Sequence, residues 1–108
     1  TSNYLYVANS YNNIILILNT TTNSIVGSIT SPVSPWGLSI SPNGAYLYAS
    51  PNQKSDIYVF STATNSLIGT IGGFDGTWDS AIAPSGTYGY ETNIGNLTVS
   101  IFNALAFT

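Results

Sequence analysis

Tyr4-Leu5-Tyr6 returns as Tyr46-Leu47-Tyr48 and once more as Tyr88-Gly89-Tyr90, at an offset of 42 residues each time. Working outward, Thr20-Thr21-Thr22-Asn23-Ser24 returns as Thr62-Ala63-Thr64-Asn65-Ser66, Trp36 as Trp78, and Ser41-Pro42-Asn43-Gly44 as Ala83-Pro84-Ser85-Gly86. Residues 4–45 and 46–87 align without a gap at 14 identities in 42 positions. A fixed period of this size marks stacked units, each too small to bury its own apolar face.

One unit reads as four strands. Trp36 to Ser41 is the first, and Pro42-Asn43-Gly44 turns it into the second, Tyr46 to Ser50, with Pro presetting φ and Gly supplying a positive one. A polar stretch, Asn52 to Asp56, leads to the third, Ile57 to Ser61. Thr62 to Asn65 is a tight turn in which Asn tolerates the left-handed region, and Leu67 to Ile71 is the fourth strand. The segments are rich in Ile, Val, Tyr and Thr, and no stretch has a helical period with caps. Ile14 to Leu18 does not alternate and predicts a strand covered on both faces. The fold class is therefore all-β. Four antiparallel strands in 42 residues is the spacing of a β-propeller blade. A ten-stranded β-sandwich is the alternative, but a sandwich needs no strict period. The chain divides into a partial blade at 4–35, a complete blade at 36–77 and a partial blade at 78–108, within one propeller-type domain, 1–108.

The pattern resembles the YVTN-type β-propeller repeat. Tyr6-Val7-Ala8-Asn9 carries that family's first element, Ile14 to Asn19 its Val/Ile-rich strand (with Asn19 for the usual Asp), and Thr20 to Asn23 its turn. Ser34-Pro35-Trp36-Gly37 and Ser41-Pro42-Asn43-Gly44 carry the rest. The match is close in the first unit, fair in the second and partial in the third. The resemblance implies a secreted or surface-layer protein, often archaeal or bacterial, commonly seven-bladed. Related propellers include lactonase-like enzymes and cofactor-binding oxidoreductases whose sites use His, Arg and acidic residues. This chain has no His and no Arg, so none of those roles carries over.

Composition narrows the chemistry. Charged residues are 5% of the chain, against about 25% in ordinary domains. Lys54 is the only basic residue, so no basic patch exists to hold a nucleic acid or an anionic membrane surface. Without Cys, Met or His there is no disulfide, no soft-ligand metal site and no Ser-His-Asp or Cys-His nucleophile. No cofactor is expected. The longest aliphatic run, Ile14 to Leu18, is far too short to span a bilayer. The chain begins at Thr1 without an initiator Met, which predicts a processed protein or a piece of a longer one.

Individual residues divide between structural and chemical readings. Trp36 and Trp78 begin equivalent strands. They suit sugar stacking, but their repetition favours packing between blades. Tyr4, Tyr6, Tyr46, Tyr48, Tyr88 and Tyr90 form a repeated ladder, read as packing. The loop Gly72 to Asp79 holds Asp75 and Asp79, with Glu91 further on. A Gly/Asp loop is one way to bind calcium, but this one lacks the EF-hand spacing. A carboxylate pair is one way to cleave glycosides, but the flanking polar machinery is missing. Asp56 beside Lys54 reads as a solvated turn. Catalytic and metal residues are thus expected to be none. Asn19 and Asn96 head N-glycosylation sequons. Leu105, Ala106 and Phe107, in the apolar tail from Ala104, form a candidate assembly edge, able to add a strand.

Two and a half units leave blade faces and edges open, whereas a closed ring needs at least four blades. The expected function is a non-enzymatic extracellular or cell-surface module for structure or protein interaction. The alternatives are a filament or coat subunit joined by strand complementation, and a fragment of a lactonase-like enzyme. The expected partners are protein, either further copies or other surface proteins, and glycans, with the chain a homo-oligomer or part of a longer one. With four acids, acid has little leverage on the fold, which predicts tolerance of an acidic habitat. Circular dichroism from pH 7 to pH 2 is expected to show no cooperative unfolding; a sharp transition between about pH 5 and pH 2 would contradict it.

Overall fold

The computed structural model describes residues 3–52 and 54–107. Thr1, Ser2, Gln53 and Thr108 lie outside it, and with them both ends of the 1–108 domain and the last residue of the tail. Ten strands form three antiparallel sheets, with no helix among the described residues. The first sheet is β1 (Tyr4–Asn9), β2 (Ile14–Asn19) and β3 (Ser24–Thr30). The middle sheet is β4 (Pro35–Ile40), β5 (Tyr46–Pro51), β6 (Asp56–Ser61) and β7 (Ser66–Gly72), in that order. The last sheet is β8 (Thr77–Ile82), β9 (Tyr88–Asn93) and β10 (Thr98–Asn103). Each sheet is a meander in which neighbours in sequence are neighbours in space. Three separate sheets replace the two layers a sandwich requires, and the sheets do not close into a ring.

The turns follow their residues. Asn23 and Asn65 take φ of 58° and 56°, and Gly44 and Gly86 take 74° and 80°. These are left-handed conformations that Asn and Gly adopt at least cost. The repeat extends to irregularities. A register shift at Ile17/Leu18 between β2 and β3 recurs at Val59/Phe60 between β6 and β7, 42 residues on.

Packing follows from the pleat, which sends successive side chains to opposite faces. On one face of the middle sheet, Leu47, Ala49 and Phe60 bury against Ile15, Ile17 and Ile29 of the first sheet. On the other, Tyr48, Ile57, Val59 and Ile71 bury against Phe102, Ala104 and Phe107 beyond and within the last sheet, with Phe74 closing the seam. Phe74 and Phe102 meet edge to face at 5.5 Å. A Cβ at Gly89 would strike the Phe102 ring at 2.3 Å, so Gly89 is the gap into which that ring folds.

Two expectations need correction. Ile14 to Leu18 is not covered on both faces: Ile15 and Ile17 are buried, while Ile14, Leu16 and Leu18 are half-buried because no sheet lies on their side. The tail from Ala104 adds no strand. The Asn103 side chain accepts from Leu105 N–H at 2.9 Å, and Asn103 C=O accepts from Ala106 N–H at 3.2 Å, closing a turn that carries Phe107 inward.

β4 and β8 run side by side. The Ser39 and Ser80 hydroxyls are hydrogen-bonded at 2.8 Å. At Gly37 a Cβ would lie 2.7 Å from both Asp79 Cα and the Trp78 carbonyl oxygen. Neither backbone atom has a flexible side chain's freedom to yield. By contrast, a Cβ at Gly27 would meet only Ile17, at 3.6 Å. Gly37→Ala is therefore expected to lower stability by about 2 kcal/mol or more through overpacking. Gly27→Ala is expected to be near neutral, both read from urea midpoints.

Candidate functional site

The seam between the middle and last sheets is polar at one end. Ser50, Thr77, Glu91 and Asn93 are all buried there. β5 supplies Ser50, β8 supplies Thr77, and β9 supplies Glu91 and Asn93. The register between β8 and β9 shifts between Thr77 and Ser80, and this irregularity presents the Trp78 N–H to the Glu91 side chain. The carboxylate accepts from Ser50 Oγ at 2.8 Å through one oxygen and from Trp78 N–H at 2.9 Å through the other. One carboxyl group thus ties β9 both to its own neighbour strand and to the adjacent sheet. Thr77 Oγ1 donates to Pro51 C=O at 2.6 Å, a second tie across the same seam. Asn93 accepts from Asp75 N–H at 3.2 Å and donates to Ser100 Oγ at 2.7 Å.

Burial dominates the electrostatics of Glu91. Burial, with the nearby Asp79 charge adding to it, outweighs the lowering pull of the Ser50 and Trp78 donors, so that the pKa is raised from 4.5 to about 7. The group therefore exchanges its proton near neutrality. Being fully enclosed, it acts on the seam rather than on a dissolved ligand.

Next to this latch sit the two tryptophans. Trp36 and Trp78 pack on each other with ring centroids 5.2 Å apart and planes tilted by 42°. They bridge two sheets, as packing aromatics would, yet remain 46% and 38% exposed. The tyrosine ladder is graded. Tyr48 is buried in the middle sheet and donates to Ala104 C=O at 2.8 Å, whereas Tyr88 and Tyr90 of the last sheet stand exposed.

The remaining sequence candidates are dispersed. No group of three acidic residues able to hold a metal forms among the described residues. Asp75 lies against the β9–β10 loop, accepting from Gly95 N–H at 3.0 Å, while the Asp79 side chain accepts from its neighbour Ser80 N–H at 2.9 Å. Asn19 is half-buried and caps its own turn, accepting from Thr21 and Thr22 N–H. Asn96 is exposed and accepts from the Thr98 hydroxyl of its sequon. Of the candidate edge, Leu105 and Ala106 are exposed and Phe107 is buried within the molecule. Sequence reasoning missed Glu91 as a latch. The available signal is the repeat, in which position 91 aligns with the apolar Val7 and Ala49.

No family model matches the chain, and no curated protein matches it in sequence. The fold, however, is shared with solved structures. Hydrazine synthase of Kuenenia stuttgartiensis superposes with a TM-score of 0.85 at 19% identity, over 94% of this chain and 29% of that one. The dihydro-heme d1 dehydrogenase NirN, solved in complex with DHE, superposes with a TM-score of 0.78 at 16% identity, over 98% of this chain and 23% of that one. Both are β-propeller proteins, so the three sheets are propeller-like blades. The chain spans less than a third of either neighbour's length. These neighbours correct the functional expectation. They are named as enzymes, a synthase and a dehydrogenase. The reading as a non-enzymatic extracellular structural module does not stand.

The latch has a pH signature. The unfolded chain loses the Glu91 proton near 4.5 and the folded chain near 7. The folded state is thus favoured most below pH 4.5, and that advantage is lost as pH rises to about 7. The loss is about 3 kcal/mol. In Glu91→Gln the amide accepts from Trp78 N–H and donates to Ser50 Oγ without a charge. Its stability is expected to be flat from pH 5 to pH 8 and above wild type at pH 8, measured by urea unfolding at each pH.

Proposed function

We propose that the chain is an arc of a closed β-propeller of the YVTN-repeat type within a larger enzyme. In this reading the arc holds the shape of the ring, and the bond-making groups come from outside these 108 residues. The supporting observation is the composition of the two outward sheet faces. Tyr88, Tyr90, Val99 and Ile101 stand on the free face of the last sheet. They occupy, 42 residues on, the places of Tyr46, Tyr48, Ile57 and Val59, which form the seam between the middle and last sheets. Leu5, Val7, Leu16 and Leu18 stand on the free face of the first sheet, at the places of Leu47, Ala49, Tyr58 and Phe60. Each outer face is half of a seam. Val99 and Ile101 are 62% and 69% exposed and Leu5 is 52% exposed, a density of apolar surface that marks an interface.

The partner that fits is a further blade of the same repeat, carried by the same polypeptide. The enzyme context is inferred from the neighbours, in which an arc of this kind is a minor part of an enzyme chain. The arc itself has no His, Cys or Arg to act as base, nucleophile or oxyanion clamp.

The test uses the protein at its native length, with the intact mass of the chain measured alongside. Ile101→Asp places a charge on the last sheet's outer face. Against another blade it buries an unpaired carboxylate and is expected to lower stability by about 3 kcal/mol or more. On a free face the change stays within about 1 kcal/mol, the strand-propensity cost of Asp, and near that of an exposed control such as Leu105→Asp. A mass of 11.4 kDa with Ile101→Asp as harmless as the control would defeat the proposal.

A further inference from the structure

The two seams carry the same groove and treat it differently. Between the middle and last sheets, the groove is occupied by the segment Ala104–Phe107. The Tyr48 hydroxyl donates to Ala104 C=O at 2.8 Å, and the Phe107 ring stands edge-on to Tyr46 at 5.0 Å. The Phe107 carbonyl oxygen lies only 1.7 Å from where a Gly69 Cβ would be, so the segment rests on bare backbone. The receiving elements are a tyrosine pair on the second strand, a glycine on the fourth, and the apolar side chains beside them.

Every receiving element recurs 42 residues earlier as Tyr4, Tyr6, Ile17, Val26 and Gly27. There they line an open groove of about 620 Å³ between the first and middle sheets. A Cβ at Gly27 would meet nothing of the middle sheet within 4 Å among the described residues. The Tyr6 hydroxyl makes no hydrogen bond among them either. The cause lies in the opposing segment. Where the last sheet has Ala104-Leu105-Ala106-Phe107, the middle sheet has the polar turn Thr62-Ala63-Thr64-Asn65. That turn is bound to its own sheet, Thr62 Oγ1 donating to Gly44 C=O at 2.6 Å. It lines the groove without filling it.

We propose that the groove between the first and middle sheets docks an apolar peptide segment, turned as Ala104–Phe107 is, with a small residue followed, three positions later, by an aromatic one. The molecule contains its own template for this contact in Ala104–Phe107. The aromatic ring takes the place beside Tyr4 that Phe107 takes beside Tyr46, the peptide backbone crosses Gly27 as it crosses Gly69, and the Tyr6 hydroxyl donates to the carbonyl of the small residue. Tyr and Gly suit this use: Tyr brings a rigid ring with one polar tip, and Gly lets the incoming backbone approach. The inference stands on the repeat and does not depend on how the ring closes.

The test titrates two synthetic probes, acetyl-Asn-Ala-Leu-Ala-Phe-amide and acetyl-Asn-Ala-Leu-Ala-Ala-amide, into the native-length protein, with binding read from amide chemical shifts. The Phe probe is expected to bind at least tenfold more tightly, with shifts at Tyr4, Tyr6 and Gly27. Tyr6→Phe is expected to weaken it about fivefold, the value of one net hydrogen bond. Gly27→Val, which raises a side chain in the groove, is expected to abolish it, with folding checked by circular dichroism. The proposal is overturned if the Phe probe shows no shifts at millimolar concentration. It is overturned equally if both probes bind alike, or if Tyr6→Phe and Gly27→Val leave binding unchanged.

Discussion

Everything in this chain depends on the middle sheet being buried from both sides by side chains that alternate along single strands. On β5, Leu47 and Ala49 point one way and Tyr48 the other. On β6, Phe60 faces the first sheet while Ile57 and Val59 face the last. A one-residue slip of either strand would exchange the two sets and leave both seams mismatched. The 42-residue period follows from this demand. The middle unit presents Tyr46, Tyr48, Ile57 and Val59 forward and Leu47, Ala49 and Phe60 backward, and only units in the same register bring such faces together.

Glu91 is the exception inside that frame. It stands where the equivalent positions hold Val7 and Ala49, and it brings the one buried carboxyl group among the described residues into the polar end of a seam whose other end is apolar. Buried ionisable groups are expensive, and an apolar residue of similar size would often stabilise more. The arrangement is tolerable because both oxygens are hydrogen-bonded and because the group holds its proton up to about pH 7. Its position has a geometric consequence. The Trp78 N–H it accepts belongs to the β8 irregularity, and the Trp78 ring is what meets Trp36 of the middle sheet. One carboxyl therefore holds the backbone of the residue whose ring packs on the middle sheet.

Most of the fold was legible because the repeat supplied it. The strands of the middle sheet lie within a residue or so of where Pro-Asn-Gly, Thr-x-Thr-Asn and the Ile/Val runs placed them. The misreadings have a common origin, since sequence reports the pattern of a face and not what covers it. Ile14 to Leu18 is uniformly apolar, but only Ile15 and Ile17 have a neighbouring sheet. Ala104 to Phe107 is apolar enough for a strand, but Asn103 turns the chain before one can form. For the site, the acids were visible as residues while their burial was not. Asp79 and Glu91 look alike in a list of carboxylates, and only the cross-sheet contact with Ser50 separates them. The open groove was invisible for the same reason, since it arises between units from the difference between Thr62–Asn65 and Ala104–Phe107.

The scarcity of charge now acquires a physical reason. A sheet with two buried faces has few places for Lys or Glu, because each charge there must be stripped of water. In a closed ring every blade is a middle sheet, so the whole chain should be as poor in charge as residues 46–71, where only Lys54 and Asp56 are charged. The outer sheets meet that standard. β1, β2 and β3 carry no charge at all, and β10 carries none. Faces evolved for solvent would alternate apolar with charged residues, as half-exposed antiparallel sheets do. These faces instead keep Leu5, Val7, Val99 and Ile101 in the open. Composition and packing thus support the same proposal, in which both ends of the arc are covered as the middle is.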